Sequence, residues 1–206
     1  KSDQVTSLNT DQLRAIETGD IKSLSTTALR ALDTDQVNAL TSNQLQSLTS
    51  SQIASLTSAP QVSALSTGNL NVLTTDQLSK FTTAQVKALT TEQINNLTTG
   101  NLNALGTAQF AALNSDQVAA LTTAQASKLE TADLRAITTG ALAGLNSDHV
   151  KALSTDEVGA LTTAQVAAIN SDQLDGLSTA GVVALTTAQV GVLKSDQLTS
   201  LTSDQL

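Results

Sequence analysis

Few residues in this chain could do chemistry. His149 is the only histidine, and it stands beside Asp148 in the stretch NSDHVKAL. A His–Asp pair can act as a base and its orienting group, but nucleophilic catalysis also needs a hydroxyl or thiol free to be activated. With no cysteine and no second histidine, a His/Cys metal centre lacks its ligands. Asp33-Thr34-Asp35 spaces two carboxylates as a calcium loop would, yet the glycine and distal glutamate of an EF-hand are missing. No glycine-rich phosphate loop occurs. The sequence thus assigns no catalytic, cofactor-binding or metal-ligating residue, and it predicts a protein that is not an enzyme.

Two further groups recur with a fixed spacing. Threonine pairs (Thr74-Thr75, Thr82-Thr83, Thr90-Thr91, Thr98-Thr99) could order ice if they lay on a flat exposed face. Glutamines such as Gln77, Gln85, Gln93, Gln165 and Gln173 form a second row. An exposed row of amides could bind a polymer such as a polysaccharide, whereas a row between layers would satisfy backbone groups left open at helix ends. The second use is the expectation. Asp20, Asp133, His149 and Glu157 replace glutamine in this row. The acids are expected to be solvated or capping groups, and His149 an ordinary substitution within a repeat.

The elements that position these residues follow from a period of eight. The chain reads as 25 complete octets and one partial, from KSDQVTSL to TSDQL, with one extra residue in TSAPQVSAL at Thr57 to Leu65. Position five is apolar throughout, position eight is Leu, Ile or Phe, position two is Ser or Thr, and position four is Gln in 17 of 26 units. A strand would put positions five and eight on opposite faces. A continuous helix would rotate the apolar pair by about 80° per unit and leave no buried stripe. The remaining solution is a helix that starts and stops in every octet.

The capping pattern predicts where. Ser or Thr at position two, such as Thr83, Thr91 and Thr99, reads as the N-cap, so the helix would span positions three to eight. Asp or Glu then opens the helix in eleven units, among them Asp35, Asp116 and Asp196, where the helix dipole favours negative charge. Pro60 falls at that same first position. Asn9, Gly106, Asn114, Asn146 and Asn170 at position one would supply left-handed helix ends. Helices this short do not stand alone, so neighbouring units must hold them.

Positions five and eight would face inward. Position six, with Arg14, Lys22, Arg30, Lys87, Arg135 and Lys151, would face outward, and small residues at position seven would admit the next layer closely. The expected architecture is all-α: a single solenoid over residues 1–206, with about three to four octets per superhelical turn. Only Phe81 and Phe110 are aromatic, which suits a core of many small aliphatic contacts. The net charge of −8 argues against nucleic acid as a partner. No apolar run reaches the roughly 18 residues of a membrane span. With no methionine, the chain is expected to be a segment of a larger protein whose other domains flank it.

LTTAQVAAI, at Leu161 to Ile169, is similar to the opening helix of the transcription-activator-like effector repeat. The period of eight, the acidic charge and the lack of a variable base-reading pair set the chain apart from that family. The whole chain resembles the Thr/Ala/Gln/Leu octapeptide arrays of large secreted or surface-attached bacterial proteins of the adhesin or exoprotein type. That resemblance implies an extracellular or cell-surface stalk or spacer, and it carries over no functional residue. The alternative is a solenoid that recognises a protein or glycan on its outer face.

Overall fold

The computed structural model describes the backbone of residues 2–205 and the side chains of residues 4–205. Among these residues there are 25 short helices, from Ser2–Thr6 to Ser195–Ser200, and no strand. Each complete octet contributes one helix. The chain divides into two compact units, Lys1–Leu105 and Gly106–Leu206. Both obey the same local rule.

The helices begin one residue earlier than the capping pattern predicts. In the helix Thr83–Ala88 the N-cap is Thr82, extended at φ −72° and ψ 156°. Its Oγ1 accepts from the Gln85 N–H at 3.1 Å, and Gln85 Oε1 accepts from the Thr82 N–H at 2.8 Å. Two orphan donors at the start of one helix are thereby satisfied by one reciprocal pair. Thr90 and Thr98 cap the next two helices, so Thr83, Thr91 and Thr99 are first helical residues rather than caps. The reason is reach: with the cap at position one, the glutamine falls at the third helical position, from which its side chain returns to the cap N–H.

The helix ends differ from expectation for a related reason. No described residue has a positive φ. Asn9, Asn114, Asn146 and Asn170 are N-caps, and Gly106 stands extended in the same place, with φ values from −76° to −95°. Position eight turns straight from helix to extended backbone, as at Leu89 (φ −60°, ψ 133°). Its N–H closes a tight turn on the carbonyl of position five, Leu89 to Val86 at 3.1 Å, so no left-handed residue is needed. The corner is therefore positions eight and one.

The single insertion is absorbed inside Ser58–Val62, where Ala59 leaves helical geometry at φ −130° and ψ 131°. Pro60 follows this break and starts the stretch carrying Gln61 and Val62. The Thr57 N–H still reaches Gln61 Oε1, at 2.8 Å but four residues on instead of three. The register of the row survives the extra residue.

Positions five and eight form the core. Every position-five residue from Val5 to Leu174 is at most 6% exposed. Within each unit a helix packs on the helix three octets away: Thr18–Ser23 on Ser42–Ser47, and Ser171–Asp175 on Ser195–Ser200. Position seven sets how close the layers come. A Cβ on Gly176 would lie 2.5 Å from the Ser147 carbonyl oxygen, and one on Gly144 would lie 2.0 Å from that of Ser115. The expected inward face and small position seven are both present.

The cap assignment makes a direct prediction. Thr82→Ala, Thr90→Ala and Thr98→Ala should each lower stability by about 1 kcal/mol in urea unfolding. Thr83→Ala, Thr91→Ala and Thr99→Ala, one residue later, should each change it by less than about 0.5 kcal/mol.

Candidate functional site: the position-four row

The row of position-four side chains lies between layers and is closed to solvent. From Gln36 to Gln205 each glutamine of the row is at most 8% exposed, while Gln4 and Gln12 are exposed. Each buried amide works at both ends. Its oxygen takes the N–H of its own cap, and in the glutamines from Gln36 to Gln93 and in Gln165, Gln173, Gln189 and Gln197 its nitrogen donates to carbonyls at positions five and eight of the octet four units earlier, while Gln205 takes positions six and eight, Asp175 and Leu177. Gln44 Nε2 lies 2.9 Å from the Leu13 oxygen and 2.8 Å from that of Ile16. Gln85 reaches Ile53 and Leu56 at 2.8 and 2.9 Å, and Gln165 reaches Leu134 and Ile137 at 2.8 Å each. These carbonyls end their helices and have lost their normal donors. The glutamine row is therefore an interlayer bond rather than an exposed ladder for a polymer. Helices packed three octets apart and amides reaching four octets back put one turn of each stack between three and four octets.

His149 performs the same task with a ring. Nδ1 accepts the Asn146 N–H at 3.2 Å, which leaves Nε2 as the donor to the Leu121 oxygen at 2.6 Å. Asn146 is its cap, and Leu121 is position eight four units earlier. Both nitrogens are thus bound to backbone, and Asp148 is exposed. No dyad exists. Among the described residues no three His, Cys, Asp or Glu side chains are grouped to hold a metal.

Asparagine is too short to make both bonds, and the structure divides them between two residues. At position four, Asn69 Nδ2 donates to the Asn38 carbonyl at 3.0 Å, while the cap N–H of Ser66 goes to Asn38 Oδ1 at 2.8 Å. Asn101 and Asn71 repeat this: Asn101 Nδ2 to the Asn71 carbonyl, and the Thr98 N–H to Asn71 Oδ1, each at 3.0 Å. Position six four octets earlier has taken over the missing acceptor. The sequence carries the signal as Asn at position six, 30 or 31 residues before Asn at position four.

The acids do not all behave as expected. Asp20 is exposed, but Asp133 and Glu157 are each only 3% exposed, which corrects the expectation of solvated groups. Glu157 keeps the capping half of the role, accepting the Ser154 N–H at 2.6 Å. Burial, reinforced by the nearby Glu130 carboxylate, pushes the Asp133 carboxyl up from 3.8 to about 6. The threonine pairs also split. All eight are exposed, and Thr74, Thr82, Thr90 and Thr98 accept from their own helices, whereas Thr75, Thr83, Thr91 and Thr99 are first helical residues.

This arrangement defines an all-helical tandem-repeat array in which the repeating unit is one capped helical turn latched to an earlier layer. The profile of the ALTTAQ repeat family matches residues 13–50, 62–99, 94–129, 126–163 and 166–203. The chain belongs to that family. No curated protein matches it. The six residues of the family's motif, as in Ala160-Leu161-Thr162-Thr163-Ala164-Gln165, run from position seven to position four. They spell the small contact, the inward leucine, the cap, the first two helical residues and the latch. Among the described residues no helix is long and apolar enough to cross a membrane.

Asp133 supplies a pH test. An acid whose carboxyl is raised in the folded state stabilises the fold most below its unfolded value, and that stabilisation is lost as pH climbs toward the folded value. Between pH 3.8 and about 6 the loss should be about 2 kcal/mol. Asp133→Asn should remove this fall, so that at pH 7 the variant unfolds at higher urea than the parent. An unchanged difference between the two proteins at pH 4 and pH 7 would contradict the assignment.

Proposed function

We propose that this array is a non-catalytic structural rod or spacer, a segment of a large extracellular bacterial protein whose other domains it holds apart. The observation that carries the reading is the position-four latch. The same buried bonds recur octet after octet in both units, so length can grow by adding identical layers without changing any existing contact. The outward positions three and six are polar, charged or small, with Val183 the exposed large apolar residue among them, while Val190 and Leu198 are exposed position-five residues. The resemblance to arrays of adhesin-type proteins supports the placement outside the cell.

Small-angle X-ray scattering on the 206-residue chain, and on a version with a block of octets duplicated in frame, tests the reading. A rigid particle whose maximum dimension grows in proportion to the added octets is expected. A maximum dimension that does not grow, or one that scales as a flexible coil, would overturn it.

A further inference from the structure

Glu157 stands in the position-four row with a charge that the chain leaves unanswered. It is only 3% exposed, and its Oε2 accepts the Ser154 N–H at 2.6 Å. Among the described residues no other hydrogen bond and no ion pair reaches the carboxylate, so Oε1 is left without a partner. A carboxylate buried with one hydrogen bond and no counter-charge is among the costliest groups a fold can hold.

The register of the row gives the groups opposite Oε1. One octet later Gln165 gives its nitrogen to the Leu134 and Ile137 carbonyls, and one octet earlier His149 gives its ring N–H to the Leu121 carbonyl. The same step of four octets back from Glu157 leads to Ala126 and Leu129, in the same compact unit. Both carbonyls are open. Among the described residues that of Leu129 accepts no hydrogen bond, and that of Ala126 accepts only a long one, from the Leu129 N–H at 3.4 Å. Three oxygens, one of them charged, thus meet where a glutamine would bring its NH₂ group. A proton on Oε1 serves only one of the two carbonyls, whereas a hard cation serves all three oxygens and cancels the charge. The surroundings are acidic on balance: the packed helix Thr131–Ala136 brings Asp133 with its cap Glu130, and Asp156 adjoins Glu157, against the exposed Lys128 and Arg135. Carboxylate and carbonyl oxygens suit calcium, with water completing its shell, while magnesium demands a stricter octahedron and sheds its waters reluctantly.

We propose that Glu157 Oε1 and the carbonyls of Ala126 and Leu129 bind a calcium ion, which makes at this layer the bond that a glutamine nitrogen makes at others. With a single carboxylate among its ligands the site belongs to the weak class, with a dissociation constant of about 0.1–1 mM. It stands whether or not the array serves as a rod.

Amide chemical shifts of the isotope-labelled chain, followed during titration with calcium chloride at neutral pH and constant ionic strength, test the site. Saturable shifts confined to the amides around Ala126, Leu129 and Glu157 are expected, half complete at about 0.1–1 mM. Glu157→Gln installs the row's own residue, so the variant should fold as the parent does while its affinity for calcium falls about tenfold or more. Asp156→Asn, on the exposed side of the same turn, should leave the response unchanged. Magnesium in place of calcium should shift these amides far less. Absence of saturable shifts up to about 10 mM calcium would overturn the site. So would an equal response in Glu157→Gln, an equal response to magnesium, or loss of the response in Asp156→Asn.

Discussion

A helix of four to six residues ends almost as soon as it begins, and its last carbonyls have no helical donor. The buried glutamine amide that meets those carbonyls four octets later is the interaction on which the rest of this structure depends. One side chain closes the start of its own helix and the end of an earlier one. A buried carbonyl or N–H left without a partner costs about 1–3 kcal/mol, more than a typical satisfied bond contributes, so the row acts chiefly by leaving nothing unpaired. The core leucines and valines supply the drive to collapse. The amides fix which layer meets which.

The substitutions in the row show what the position demands. A ring can replace the amide when its two nitrogens span the same pair of partners, as in His149. Asparagine succeeds only with a second asparagine one layer away, at Asn38 or Asn71. A carboxylate keeps the capping half, as in Glu157, but brings no donor for the carbonyls. Asp133 adds the proximity of Glu130 and holds its proton far above the usual carboxylate range. The demand is for an acceptor and a donor set a glutamine's length apart.

The periodic core, the helix in each octet, the small seventh position and the structural use of glutamine were all legible in the sequence, because period and apolar spacing are properties of the chain itself. The phase was not. Position two is Ser or Thr in essentially every unit, which drew the cap there, while the true cap at position one varies among Thr, Ser, Asn, Asp, Glu, Gly and Lys. What identifies it is a spacing, a capping side chain three residues before glutamine, rather than the constancy of one residue. The burial of Asp133 and Glu157 was also hidden, since a carboxylate replacing an amide in a polar row looks solvated until the row is seen to lie between layers.

The most direct test of the latch is through-hydrogen-bond scalar coupling, with exchange rates, for the side-chain amides of Gln77, Gln85 and Gln165. The account predicts slowly exchanging Nε2 protons, with couplings from Gln77 to the Leu45 and Leu48 carbonyls, from Gln85 to those of Ile53 and Leu56, and from Gln165 to those of Leu134 and Ile137. Side-chain amides that exchange as fast as free glutamine and show no coupling across the layers would contradict it.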